Sequence, residues 1–379
     1  MKTVAAIVLL IVLAAGAGAA WAYFGLEQPY RGYTGEEQFV DIPTGIGTRA
    51  IGARLVAAGV VRDSLTFRTA LWMSGRGTRL KAGEYRFAEP MPPLAVIDRL
   101  RRGDVFVIHV TFPEGLNVLE MSKIFEAKKL GSAASFVAAG RNLEGLLFPE
   151  TYALSRHADA PQLVRQMNDA FERALTPEIR AAAAARGLTI RQLATLASIV
   201  EKETGNPAER PVVASVYENR LRIGMPLQCD PTVIYALELA GRYDGNIRRD
   251  DLMFDSPYNT YRYPGLPPGP IASPGLASLD AVVHPAQSDY LYFVSKNDGS
   301  HVFATTLEEH NRNVQHYQVE YFRAGGAGAA EQVGQPDSAA QAEQPGQTRQ
   351  TGKAATGRAG QTGKAGKAGK PRKAGWKDH

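Results

Sequence analysis

From Val4 to Phe24 the chain runs through 21 residues without a charge, rich in Val, Ile, Leu and Ala, between Lys2 and Glu27. As a helix this stretch spans about 32 Å, the depth of a bilayer core, so whatever follows is built to fold on the far side of a membrane. Two readings compete. Small residues in A-x-A spacing between Ala14 and Ala22 suit a cleaved leader. The length of the run and its ending in Trp21, Tyr23 and Phe24, an interfacial aromatic cluster, favour a retained anchor over residues 4–24 with a cytoplasmic N-terminus.

The net charge of +5 is unevenly placed. Residues 324–379 hold nine Lys or Arg against four Asp or Glu, which accounts for all of it and leaves the first 323 residues neutral. That segment is Gly, Ala, Gln, Thr and Lys with one aromatic, Trp376. It has too little apolar surface to fold and is expected to be a disordered basic tail. No nucleic-acid partner is expected. Cys229 is the single cysteine, which excludes an intrachain disulfide, and it reads as a small buried residue.

Between these ends lie a short linker, 25–37, and an α+β body. Val40-x-x-Pro43-x-Gly45 recurs 70 residues later as Val110-x-x-Pro113-x-Gly115, each followed by apolar residues at helical spacing. Both copies read as strand, turn and amphipathic helix. The first continues through a helical stretch at 65–73, an alternating strand at 80–87 and a helix at 94–101, making a small module over 38–107. Helices are expected at about 118–128, 161–174, 176–186, 189–204 and 211–223. A hairpin over Asn297-Asp298-Gly299 and a last helix at 306–321 complete a mixed α+β domain over 108–323. The stretch from Asp255 to Gly275 stands apart, with six prolines, three glycines and three tyrosines in 21 residues. A rigid loop of that length carrying Tyr258-Asn259-Thr260-Tyr261 suits the wall of a saccharide cleft, although a packed connector would have the same composition.

The chemistry centres on one predicted helix. Thr189 with Gln192 is a capping-box start, and Gly205 with Pro207 is a stop. On this helix Leu193, Leu196, Ala197 and Val200 form one apolar stripe, and Glu203 continues its edge. A carboxylate there loses water, which favours its protonated form, the state a proton donor needs. Glu203 is therefore the candidate general acid, with Glu201 on the flank. An E-K-E triplet also has a plain reading as a solvated helix end.

Histidines are scattered, and none falls in an HExxH, HxH or Cys/His metal spacing. His284, His301 and His310 read first as structural residues. No nucleophile elbow, Walker loop or dinucleotide fingerprint occurs in a strand-to-helix setting. Neither a metal nor a cofactor is expected. What is left is carboxylate chemistry outside the cytoplasm, for which a glycan is the fitting substrate.

At these residues the sequence resembles the YceG-like endolytic murein transglycosylases. The resemblance is carried by LEGLLFPETY (143–152), ASIVEKET (197–204), ASVYENRLRIGMPLQCDPTVIYAL (214–237), YNTY (258–261), GLPPGPIASPG (265–275), HPA (284–286) and LYFV (291–294). It implies an inner-membrane protein whose periplasmic part joins a LysM-like module to a catalytic transglycosylase domain. The second glutamate of the SIVEKET motif, Glu203 here, becomes the catalytic one, and Glu201 a neighbour acting on it through like charge. Cys229 departs from the family, where Thr or Ser is more usual between the Gln and the Asp-Pro-Thr. Asn219, Gln228, Asp230, Tyr258 and Asn259 are the candidates for the cleft.

The expected reaction cuts the β-1,4 bond between N-acetylmuramic acid and N-acetylglucosamine in nascent strands, leaves 1,6-anhydro ends and so terminates elongation. The expected partners are peptidoglycan strands and wall synthases. The rival reading is a non-enzymatic wall-binding scaffold that recruits synthases.

Overall fold

A computed structural model of the chain describes residues 2–75 and 79–323. The expected disordered tail, 324–379, lies outside them. The remainder is mixed α+β with one apolar N-terminal helix, α1 (Lys2–Glu27), long and apolar enough to cross a membrane.

The two copies of the Val-Pro-Gly pattern fold alike. The first gives β1 (Gln38–Ile42), α2 (Thr48–Ala57), α3 (Ser64–Met73), β2 (Gly83–Phe87) and α4 (Pro93–Arg102). The second gives β3 (Ile108–Thr111), α5 (Val118–Ala127), α6 (Ala133–Gly140), β4 (Thr151–Leu154) and α7 (Ala160–Ala174). In each, the outer strands pair antiparallel, and the motif valine lies opposite a buried tyrosine: Val40 against Tyr85, Val110 against Tyr152. Each tyrosine then donates its hydroxyl to the carbonyl four residues upstream, Tyr85 to Lys81 at 2.8 Å and Tyr152 to Phe148 at 2.7 Å. The turn glycines match as well, with φ of 80° at Gly45 and 78° at Gly115, a left-handed conformation that glycine adopts without a steric cost. Each unit has its own core, one around Leu55, Phe67, Tyr85 and Phe87, the other around Phe112, Phe125, Phe136 and Tyr152.

Residues 25–37, expected as a linker, pack onto the first unit. Leu26 is buried in its core, Tyr30 pairs with Met91, and the Gly32 amide donates to the Gly59 carbonyl at 2.7 Å. Arg156, just after β4, joins the units by an ion pair to Glu84 at 2.7 Å while covering the Phe39 ring.

A third core follows, built from α8 (Pro177–Ala185), α9 (Ile190–Glu203), α10 (Arg210–Arg222), α11 (Asp230–Leu239) and α12 (Leu276–Val283). The hairpin of β5 (Tyr292–Ser295) and β6 (His301–Ala304) closes it, and α13 (Leu307–Val314) passes into a π-helical turn over Gln315–Glu320. The apolar stripe expected on α9 is too narrow a description. Every residue from Leu193 to Val200 is buried, because α8, α10, α11 and α12 contact the helix. The helices α6, α11 and α12 go beyond those read from periodicity. Their contrast between faces is low, so the pattern is weak.

Candidate active site

Helix α9 begins as its sequence dictates, with Thr189 and Gln192 exchanging reciprocal cap bonds. It ends at Glu203, and Thr204 is already extended. The chain cannot continue the helix through Gly205 and Pro207, so Glu203 stands at the rim of the third core with 9% of its surface exposed. Its Oε1 accepts a 2.6 Å hydrogen bond from the hydroxyl of Tyr217 on α10. Tyr217 is itself buried, and Phe293 of β5 meets its ring edge to face.

The Cys229 thiol faces both groups. Burial, and then the Glu203 carboxylate, push the thiol well above its ordinary pKa. The Tyr217 hydroxyl is raised in the same way, by burial first and then by Cys229 and Glu203. Tyr261 completes the group. It donates to Asp230 Oδ1 at 2.6 Å, and burial, Asp230, Cys229 and Glu203 all act to keep its hydroxyl protonated. Glu203, Tyr217, Cys229, Asp230 and Tyr261 thus form a single polar cluster where α9, α10, α11 and the Pro-rich loop meet.

The other candidates are placed differently. Glu201 turns away from Glu203. It accepts from Arg210 at 2.8 Å, from the Gly275 amide at 3.0 Å and from Ser278 at 2.7 Å, so its charge is answered by a guanidinium. Asn219 faces the chain ahead of β5, donating to the carbonyls of Ser288 and Tyr290. Asn259 is wholly buried, at 0% exposure, with its amide holding the carbonyls of Leu252 and Phe254 and accepting from the Tyr261 amide. It shapes the loop and offers no atom to a ligand. Gln228 is half-buried with φ 52°, and its amide bonds the Thr260 carbonyl at 3.2 Å. Tyr258 is half-buried against Tyr235, which in turn donates to Glu144.

Of the histidines, His284 pairs with Asp280 in solvent, and His310 stacks on Tyr292. His301 is bound by Glu209 through both its amide and Nδ1, at 2.9 and 2.7 Å, and Glu209 also accepts from Thr204, the residue after Glu203. This brace ties the hairpin to the end of α9. Sequence reasoning passed over Tyr217 and placed Tyr261 only in the wall of the Pro-rich loop. Both lie inside the quoted motifs, but nothing in a linear pattern says which tyrosine turns toward Glu203.

A buried glutamate at a helix end, held by a tyrosine and flanked by a Pro-rich wall, defines a carboxylate-centred site on an α+β scaffold. The YceG-like family model matches residues 40–316, and the chain belongs to the YceG-like family. Among curated proteins, an endolytic murein transglycosylase of Bacillus subtilis is 31% identical over 311 residues, covering 73% of this chain and 84% of that protein. One of Streptococcus pneumoniae is 29% identical over 357 residues, covering 81% of this chain and 63% of its own length. A crystal structure of a YceG-like protein from Listeria monocytogenes matches with a TM-score of 0.50 and 30% identity, covering 73% of this chain and 98% of that one.

Proposed function

We propose that this chain is a lytic transglycosylase that cleaves the β-1,4 bond between N-acetylmuramic acid and N-acetylglucosamine within murein strands, with Glu203 as the catalytic residue. The names of its curated relatives support the enzyme class. The observation that carries the assignment of Glu203 is its setting: a carboxyl buried at the C-terminal end of α9, with Oε1 engaged by Tyr217 at 2.6 Å. Because Oε1 accepts from the tyrosine, the proton to be transferred is directed to Oε2.

Protonated Glu203 gives that proton to the glycosidic oxygen as the C1–O bond breaks and positive charge builds at C1. The resulting carboxylate takes the proton of the muramyl C6 hydroxyl as O6 bonds to C1, closing a 1,6-anhydro ring and restoring the acid. One residue serves both steps because the substrate supplies its own nucleophile, so the second carboxylate that ordinary glycosidases need has no role. Asp230 with Tyr261 and Gln228 line the approach, while Asn219, Asn259 and Glu201 position the backbone around it and Tyr258 packs farther off, against Tyr235.

The first βααβ unit is read as a LysM-like glycan-binding module, supported by its strand and helix order. Helix α1 is read as a single-pass anchor holding the catalytic part in the periplasm, where cutting new strands near the membrane would end their elongation beside wall synthases. Mass spectrometry of murein sacculi digested with the full chain and with Glu203→Gln tests the central claim. The expected result is anhydro-muropeptides from the first and a loss of about 10³-fold or more from the second. Reducing ends instead would mean a hydrolase. Equal anhydro products from both proteins would remove Glu203 from its role.

A further inference from the structure

Helix α3 presents a stripe that no described residue covers. Thr66, Phe67 and Ala70 face the first core, while Leu65, Trp72 and Met73 are 58%, 74% and 53% exposed. At 100° per residue Leu65 and Trp72 project within about 20° of each other, with Met73 on one side of them and the exposed Arg68 on the other. Arg62, just before the helix, is exposed as well. An indole, a thioether and an aliphatic side chain in water forgo the stabilisation that covering their apolar surface would bring.

The neighbouring helix indicates what that cover is. Helix α1 continues beyond its apolar run to Glu27, contacts α3 and α4, and buries Leu26 in the same core as Ala70. Because Leu26, in the last turn of α1, is held in that core, a bilayer crossed by α1 meets this module at the end where α3 lies. Tryptophan is the side chain that a membrane interface favours, and arginines beside an apolar stripe reach anionic headgroups. We infer that the exposed face of α3 rests on the outer surface of the bilayer that α1 crosses, with Leu65 and Trp72 at the headgroup boundary and Arg62 and Arg68 on lipid phosphates. The inference depends on reading α1 as a membrane span. Its consequence is mechanical: the first module is clamped to the membrane at two points and is not free to swing on a stalk.

The test uses the full chain reconstituted in phosphatidylethanolamine and phosphatidylglycerol vesicles, with and without brominated acyl chains. Trp21→Phe with Trp376→Phe leaves Trp72 as the sole tryptophan, and Trp72→Phe with Trp376→Phe leaves Trp21 to report on α1. The expected result is blue-shifted Trp72 emission that loses about half its intensity in brominated bilayers. Quenched Trp21 with water-like, unquenched Trp72 would overturn the docking of α3 and leave the anchor standing. If neither is quenched, the anchor reading fails and takes the inference with it. A blue-shifted but unquenched Trp72 would mean protein cover, such as a second copy, and would also overturn it.

Discussion

The hydroxyl of Tyr217 lies 2.6 Å from Oε1 of Glu203, so the carboxyl that ends α9 is held by a side chain from α10. Neither residue can move without disturbing a buried contact, since Tyr217 also meets Phe293 and Cys229. Replacing Tyr217 by Phe keeps the ring and deletes only the donor. The expected outcome is a kcat about tenfold lower with KM little changed, because in the proposed mechanism the lost bond orients the acid and does not bind the sugar. Steady-state assays on soluble glycan strands check this; a change confined to KM would mean that Tyr217 contacts substrate instead.

Glu201 and Arg210 form a nearly dry ion pair, with side chains 6% and 9% exposed. Removing the cation alone strands a buried carboxylate, so Arg210→Met is expected to lower unfolding free energy by roughly 3–5 kcal/mol. Adding Glu201→Gln removes the stranded charge and should restore at least about 2 kcal/mol. Denaturant titrations of the two single variants and the double variant measure this coupling. Strict additivity would show the pair to be energetically independent.

Glu144 is buried where the second unit meets α11, accepting from the Val118 amide and from Tyr235. Burial pushes its pKa up to about 7, against the hydrogen bonds from Val118 and Tyr235 that pull it down. The folded state therefore holds this proton more tightly than the unfolded chain. The stabilisation is fully present below the ordinary carboxylate range and fades as pH rises through about 7. Glu144→Gln mimics the protonated form and should melt at a higher temperature than the parent at pH 8, with the gap closing toward pH 4.5. Thermal melts across that range decide; a gap that widens in acid would reverse the sign of the argument.

Cys229 is buried, and its thiol is pushed well above the usual range, so almost no thiolate exists in the native protein. Alkylation at pH 8 should be at least about 100-fold slower in the native state than in denaturant. Mass spectrometry of timed iodoacetamide reactions measures the ratio. Comparable rates would place the thiol in an open site.

Much of this protein is local and so can be read from the chain. The Thr189 and Gln192 cap is a bond between near neighbours, and the stop at Gly205 and Pro207 is a backbone restriction, so the position of Glu203 at a helix end needed no tertiary information. The strand-turn-helix order at Val40 and Val110 was equally visible, because a Pro-Gly turn and helical spacing act within a few residues. Periodicity failed for α11, whose buried face extends round the helix, and for α12, whose exposed side carries the apolar Leu276 and Ala277 beside Asp280 and so contrasts little with its buried side.

The site itself was decided by packing. In Tyr258-Asn259-Thr260-Tyr261 the backbone has no regular period, so composition could not tell that Asn259 would be sealed inside and Tyr261 would reach Asp230. The same holds for Glu201 and Glu203, two residues apart on one helix. Residues at that separation face directions about 200° apart, and the neighbours each direction meets, Arg210 for one and Tyr217 for the other, are brought there only by the long-range contacts of the third core. Sequence alone settled which acid sits at the helix end, because capping and chain-breaking are short-range forces. Which groups hold that acid was left to the tertiary structure, because hydrogen bonds between helices depend on how the helices pack.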